Sequence, residues 1–214
     1  MARLIQLLLA PSSRLVRLAA AEKRISYTPV SADDIQAHLP VWAEPNGKTA
    51  IGVWAIIDHL ENYYPEPSLL PGDESERSEA LRLLDWSMTI FHEEITRRIV
   101  FEKASQAQTG SANRRPPNME TIRAGRIALR ATLPAIGALA ESRGYLSGRE
   151  LSLADLALAA HLSALDYYGE VPWVDFPALT EWYYRLKSRP SFRTLLSDRV
   201  PGQPPVPHYA ELDF

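Results

Sequence analysis

Five histidines are spread along the chain, and histidine is the side chain that most often ligates metals or moves protons near neutral pH. Their spacing matches no metal-binding pattern, and the segment His92-Glu93-Glu94 lacks the second histidine that a zinc-binding helix carries. The sequence has no cysteine, which excludes disulfides, thiolate metal sites and a cysteine nucleophile. We therefore expect no metal site and interpret the histidines as packing or surface residues: His38, His59, His92, His161 and His208.

The charge of the chain gives little attraction for polyanions. Its 214 residues carry 23 basic and 26 acidic side chains, a net charge of -3. The pair Arg114-Arg115 is too small a basic cluster to hold nucleic acid. The apolar run at residues 4–10 is too short for an export signal or for a membrane span of about 20 residues. We expect a cytoplasmic protein with no membrane span and no nucleic-acid partner.

The first part of the chain alternates between strand and helix patterns. Residues 4–10 form an apolar run typical of a buried strand, and Val16, Ala19 and Ala20 then recur at helical spacing. Ser12 or Ser13 is available as the N-cap of that helix. Residues 25–30 alternate like a second strand, and the order strand, helix, strand predicts a βαβ unit with a parallel sheet.

A hairpin and a second helix complete this region. Residues 39–43 and 49–53 are predicted strands, and Asn46-Gly47 between them is the strongest two-residue hairpin signal. Helical spacing returns over residues 54–64, and Pro65 stops it. We predict an α/β domain at residues 1–66, followed by a linker at residues 67–75 that is rich in proline and charge.

From residue 76 to residue 214 the pattern is helical. We predict one extended helix over residues 78–105 and further helices at 119–143, 152–167, 177–187 and 190–196. Ser152 and Asp155 form a capping box at the start of one of them, which is a signature of folding rather than of catalysis. From about residue 199 we expect an extended tail, because prolines interrupt the sequence there.

Three phrases together resemble the glutathione transferase superfamily over the whole chain. They are LLLAPSSRLVRLAAAEKRISY, AIIDHLENYYPEPSLLPGD and LSGRELSLADLALAAHLSAL. The resemblance implies a two-domain fold, with an N-terminal thioredoxin-like α/β domain and a C-terminal all-α helical bundle domain. In that superfamily the first domain binds the tripeptide glutathione.

The resemblance also implies where a glutathione site would lie. Ser12 and Ser13 occupy the position at which the family contacts the thiol, and Pro40 follows Leu39 where the family has a cis-proline. Gly52 and Val53 replace the acidic residue and serine that grip the γ-glutamyl carboxylate. Neither offers a side-chain hydrogen bond, so we interpret the site as degenerate.

A second departure concerns the short segment before Pro40. Nine residues, 31–39, separate Val30 from this proline, which is too few for the second helix of the family and its approach to the proline strand. We therefore expect the second helix of the thioredoxin-like domain to be shortened or lost. The missing helix would leave room for another partner.

The C-terminal third resembles a narrower group within the superfamily. Its phrases HLSALDYYGEVPW, WYYRLKSRPSFRTLLSDRVPG and PHYAELDF are similar to transferase-like cell-division regulators of alphaproteobacteria, which bind filaments of the tubulin-like protein FtsZ. The resemblance implies a homodimeric FtsZ-binding protein that needs no cofactor and acts in the cytoplasm, at the division site. Candidate contacts with the partner are five residues of the remodelled first domain and of the tail: Trp42, Trp54, Tyr209, Asp213 and Phe214.

The alternative is an enzyme. In that hypothesis the protein is a glutathione S-transferase or a related thiol transferase with glutathione as cofactor, and Ser12 or Ser13 stabilises the thiolate. The aromatic helical domain would then hold an apolar electrophile. The two hypotheses differ in whether glutathione binds tightly.

Overall fold

The computed structural model describes residues 1–32, 39–104 and 116–211, and the architecture within these ranges has two parts. The N-terminal part contains four strands: β1 (Ala2–Gln6), β2 (Tyr27–Ser31), β3 (Val41–Ala43) and β4 (Thr49–Ile51). They form one sheet in the order β2-β1-β3-β4, with β2 parallel to β1 and the other pairs antiparallel. Helices α1 (Pro11–Glu22) and α2 (Val53–Tyr63) belong to the same part. This is the predicted βαβ unit followed by the predicted hairpin.

Helix α1 begins before both predicted caps, one residue before Ser12 and two residues before Ser13. Its N-cap is Ala10, which has no side chain that could cap, and Pro11 is the first helical residue. A proline fits this position because its fixed φ suits the first turn and its missing N–H has no partner there in any case. The prediction that Ser12 or Ser13 is the N-cap is wrong, since both lie inside the first turn.

The turn between β3 and β4 has the predicted hairpin chemistry. Gly47 has a φ of +87°, and the Asn46 side chain accepts a 3.0 Å hydrogen bond from the Lys48 backbone N–H. The Glu44 N–H donates to the Lys48 carbonyl at 2.8 Å and closes the loop. A positive φ costs glycine little, which explains why Asn-Gly fits this position.

The C-terminal part is helical. It consists of α3 (Glu74–Trp86), α4 (Ser87–Phe101), α5 (Met119–Arg143), α6 (Leu153–Tyr167), α7 (Pro177–Lys187) and α8 (Arg193–Leu196), together with short 3₁₀ turns. Helix α4 continues directly from α3 with the wider turns of a π-helix, so the single predicted helix over 78–105 corresponds to both. Every residue of α6 is buried, which makes it the central helix of this part.

The capping box at the start of α6 is present as predicted. The Ser152 backbone N–H donates to Asp155 Oδ2 at 3.0 Å, and the Ser152 hydroxyl donates to the same oxygen at 2.9 Å. The other oxygen of Asp155 accepts from the Leu146 N–H at 2.9 Å and from the Trp182 indole at 3.0 Å. One carboxylate therefore fixes the helix start, the preceding loop and α7.

The end of the described chain departs from the predicted extended tail. Pro207–Ala210 forms a 3₁₀ turn, and the fully buried Tyr209 packs its ring on that of Tyr167 with centroids 5.1 Å apart. The Val206 N–H donates to the Tyr167 carbonyl at 3.1 Å. Prolines prevent a long helix here, but an aromatic anchor still holds the segment on the helical domain.

Candidate functional site

The first turn of α1, directly after the β1–α1 loop, carries the two serines expected at the thiol position. Ser13 is buried, and its hydroxyl accepts a 3.2 Å hydrogen bond from the Leu7 backbone N–H. Ser12 is half-buried in the first turn of α1. Ser13 thus holds the loop against the helix, while a role of either hydroxyl toward a thiolate stays a prediction.

The proline strand lies beside the start of α2. The Leu39–Pro40 peptide bond is cis, as the resemblance implied. The Pro40 carbonyl accepts a 2.8 Å hydrogen bond from the Gly52 N–H. Pro40 and Gly52, two of the residues predicted to form the degenerate site, are therefore neighbours, and their role toward a ligand stays a prediction.

The start of α2 has no polar side chain to offer. Its N-cap is Gly52, with a φ of +85° and no side-chain capping bond, and the first helical residue is Val53. A Cβ placed on Gly52 would meet no heavy atom within 4 Å, so the space beside it is open. The family pattern places an acidic residue and a serine at this helix start. Gly52 and Val53 stand there instead, so no side-chain carboxylate or hydroxyl lies beside the backbone N–H groups.

A small space lies where the β1–α1 loop meets the end of α4. The space there is about 10 Å³, roughly the volume needed for one water molecule. Only apolar residues line it: Leu7, Leu9, Ala10, Val100, Phe101 and Ala104. None of these side chains could polarise a substrate.

A buried arginine joins the two parts of the molecule. Arg14 of α1 is fully buried and donates to the Leu8 carbonyl at 2.8 Å, to the Ser163 hydroxyl at 2.8 Å and to the Tyr209 hydroxyl at 3.0 Å. Burial lowers the pKa of Arg14, but the neighbouring Tyr209 and Asp198 outweigh it and raise that pKa above its usual value. The guanidinium therefore stays charged inside the protein.

Asp198 is the counter-charge of this arginine and of a second one. Its Oδ2 accepts from Arg14 at 3.0 Å and from Arg17 at 2.8 Å, and its Oδ1 accepts from Arg17 at 2.8 Å. Arg17 also donates to the Thr194 carbonyl. We did not predict this network from the sequence. The signal was present, because two basic residues three positions apart interrupt the apolar face of α1.

The network corrects one predicted partner contact. Tyr209 is fully buried, and its hydroxyl accepts from Arg14 and donates to the Leu195 carbonyl at 2.9 Å. A side chain enclosed in this way cannot anchor in the pocket of another protein. Asp213 and Phe214, the other tail candidates, lie outside the described residues.

A second buried carboxylate ties the tail to the helical domain. Asp166 of α6 accepts from the Trp173 indole at 2.7 Å and lies 3.2 Å from His208 Nε2. Burial raises the pKa of Asp166, although Trp173, Lys187 and His208 oppose this. The Lys187 ammonium donates to the His208 carbonyl at 3.1 Å, so the turn at 207–210 is held from two sides.

The two tryptophans of the first domain have different environments. Trp42 is fully buried, and its indole donates to Glu44 Oε1 at 2.8 Å, an oxygen that His59 and Tyr64 also contact. The proposal of Trp42 as a partner contact is therefore wrong, because its ring fills the core under the sheet. Trp54 is 46% exposed and remains a candidate.

The four described histidines show no metal-binding arrangement, and His38 lies outside the described residues. His161 is fully buried, and its Nδ1 lies 2.8 Å from the Thr96 hydroxyl. Burial lowers the pKa of His161 well below its usual value, and the nearby His92 adds to the effect. Among the residues that the structure describes, no group of three histidine, cysteine, aspartate or glutamate side chains could hold a metal ion. No helix in these ranges is both long and apolar enough to cross a membrane.

Comparison with known proteins identifies the family. Residues 119–185 match the family model described as glutathione S-transferase, C-terminal domain. Over 227 aligned residues the chain is 39% identical to FtsZ-localized protein A of Caulobacter vibrioides, and the alignment covers 96% of this chain and 95% of that protein. The chain belongs to the glutathione S-transferase superfamily. Within it, the chain is a member of the family that includes FtsZ-localized protein A.

Solved structures extend this likeness over both domains. A glutathione S-transferase from Rhodospirillum rubrum F11 is 40% identical with a TM-score of 0.93, and the match covers 100% of both chains. The structure of FzlA from C. crescentus is 39% identical with a TM-score of 0.93, covering 100% of this chain and 99% of that one. The predicted two-domain fold is confirmed. The predicted loss of the second helix concerns residues 31–39, of which 33–38 lie outside the described residues.

Proposed function

We propose that this protein is a non-enzymatic regulator of bacterial cell division that binds FtsZ filaments. One observation carries the proposal: the chain is 39% identical, over 96% of its length, to a protein whose name places it at FtsZ. We propose that the protein acts in the cytoplasm, at the division site.

The candidate glutathione site favours binding over catalysis. Gly52 and Val53 give no side-chain hydrogen bond at the start of α2, and only apolar residues line the small space near Leu7. A charged tripeptide facing such groups would lose several favourable contacts, because its carboxylates would be desolvated without partners. We therefore propose that the protein works without a cofactor.

We further propose that the protein binds the filament as a homodimer. A two-fold pair presents two copies of each contact, so that moderate affinity at one site becomes strong binding to a repeating polymer. The contacts that remain from our predictions are Trp54, which is 46% exposed, and the tail residues Asp213 and Phe214.

Co-sedimentation with GTP-assembled FtsZ from an alphaproteobacterium tests the proposal. The intact protein should pellet with the polymer, and a version without Asp213 and Phe214 should stay in the supernatant. If both versions pellet equally, the tail is not part of the contact with the filament. If the intact protein does not pellet, the proposed function is refuted.

A charge reversal separates binding from stability in the tail. Asp213→Lys should weaken co-sedimentation while the melting temperature stays nearly unchanged, because an acidic tail steers toward a basic surface of the partner. Glu181→Lys is the matched control, since Glu181 is an exposed acid on α7. A large loss of thermal stability in the Asp213 variant would instead assign the tail a structural role.

One observation favours the second candidate, a glutathione or related thiol transferase. The 40% identical structure from Rhodospirillum rubrum F11 is named a glutathione S-transferase. Isothermal titration with glutathione distinguishes the two candidates. The regulator should show no low-micromolar binding, and heat signals in that range would favour the transferase, with Ser12 or Ser13 at the thiol.

A further inference from the structure

The sheet of the first domain has two unlike faces. Leu4 of β1 and Trp42 of β3 pair with each other and are both fully buried, so they point to the core shared with α1 and α2. Side chains alternate along a strand, so the residues next to them must point to the opposite face. That outer face carries Arg3, Ile5, Thr28, Val30, Val41, Ala43, Thr49 and Ile51, all exposed or half-buried.

The strand register arranges the outer face into two rows. One row is apolar throughout, because Val30 pairs with Ile5, Ile5 with Val41, and Val41 with Ile51. We call this set of four residues the apolar row. Ile51 is 57% exposed and Val30 is 36% exposed, and even the two residues on the central strands are only half-buried.

An open apolar row across four strands is unusual for a small α/β domain. A sheet normally buries its apolar faces against helices or a second sheet. In the described residues the apolar row has no such cover. The row spans three strand spacings, about 14 Å. Trp54 follows Ile51, the last member of the row, by three residues in the sequence.

The second row gives this face its charge. Thr28 pairs with Arg3, Arg3 with Ala43, and Ala43 with Thr49, so the only charged member is basic. Arg3 is exposed and makes no hydrogen bond or ion pair with any described residue. Lys48 precedes Thr49 in the chain and is exposed as well. A partner that covers the apolar row thus meets positive charge and no carboxylate within either row.

These observations define the shape of a fitting partner element. Side chains three or four positions apart on an α-helix are separated by about 5 to 6 Å along its axis, close to the 4.8 Å between strands. A helix that crosses the strands can therefore place one apolar side chain near each member of the row over about three turns. An extended strand would instead pair with an edge strand, β2 or β4, and would run at right angles to the row.

We propose that the apolar row is the surface on which the partner docks, and that it receives an acidic amphipathic helix whose carboxylates face Arg3. This inference rests on the proposed function, because the FtsZ filament is the partner expected to supply that helix. It goes further than that function because it assigns a filament contact to the first domain as well as to the tail. This contact consists of the apolar row and the basic side chain of Arg3.

Two substitutions at the ends of the row test the inference. In co-sedimentation with GTP-assembled FtsZ, Ile51→Asp and Val30→Asp should each weaken binding about tenfold, since a carboxylate would be buried against the apolar stripe of the helix. Val174→Asp is the matched control, because Val174 is 96% exposed on the helical domain, and it should bind like the wild type. Arg3→Glu should also weaken binding, and more strongly at low than at high salt.

Melting temperature and molar mass from light scattering are measured for each variant. Both should stay at the wild-type values, because all of the substituted side chains are exposed. If the wild type pellets and the row variants pellet equally, the docking surface lies elsewhere and the inference is overturned while the function stands. If the row variants lose dimers instead of filament binding, a second copy of the chain is the occupant and the inference is overturned as well. A wild type that fails to pellet overturns both proposals.

Discussion

Replacing Asp198 by asparagine should destabilise the protein more than any exposed charge substitution. The side chain of Asp198 is only 4% exposed, and it is the carboxylate that faces both Arg14 and Arg17 across the domain boundary. The substituted amide would keep the size of the side chain but lose its charge. Two guanidiniums, with side-chain exposures of 0% and 6%, would then be buried without a counter-ion.

The size of the effect follows from the burial of this network. Removing one partner of a buried ion pair costs about 3 to 5 kcal/mol, because the remaining charge is desolvated without compensation. Arg14 keeps its bonds to Ser163, Tyr209 and the Leu8 carbonyl, so we expect the lower end, about 3 kcal/mol. For a protein of this size the melting temperature should fall by roughly 6 to 12 °C.

Urea unfolding followed by both tryptophan fluorescence and circular dichroism measures the change. The matched control is Asp175→Asn, because Asp175 binds Arg130 at 2.8 Å but the two side chains are 52% and 60% exposed. An exposed pair contributes at most about 1 kcal/mol. If Asp198→Asn costs no more than this control, the buried network does not hold the domains together and the reasoning is wrong.

Three further changes test other parts of the structure. The hydrogen bond from Arg82 holds the pKa of Glu79 at about 2, below its usual value of 4.5. A lowered folded-state pKa adds stability above the unfolded value, so the stability difference between wild type and Glu79→Gln should shrink as the pH falls from 4.5 to 2 in urea titrations. Ser152→Ala should cost about 1 kcal/mol in the same assay, since it removes half of a capping box; no loss would contradict the cap. Gly125→Ala should lower the melting temperature, because the new Cβ would lie 2.8 Å from Ile99 Cγ1, whereas Gly72→Ala meets nothing within 4 Å and serves as its control.

The local elements of this protein could be read from the sequence. The predicted helices at 119–143 and 177–187 are α5 and α7 with the same bounds, and the Asn46-Gly47 hairpin and the Ser152 capping box are present. Each of these depends on residues that are close in the chain, where helical spacing, turn chemistry and capping act. The cis bond before Pro40 and the two-domain fold came from the resemblance to a family.

The sequence was less informative about which side chains are free. Trp42 and Tyr209, two of the predicted contacts for a partner, are both fully buried. An aromatic ring gives the same sequence signal whether it packs in a core or lies on a surface. Its exposure depends on which distant segments come to lie over it.

The sequence by itself determined the family, the order of the elements and the lack of a polar side chain at Gly52 and Val53. Only the tertiary structure brought Arg14 and Arg17 onto Asp198, more than 180 residues away in the chain. It also placed Val30, Ile5, Val41 and Ile51 side by side. Spacing along the chain determines local features such as helices, turns and caps. Strand register and domain packing determine which distant residues lie on one surface or form one ion-pair network.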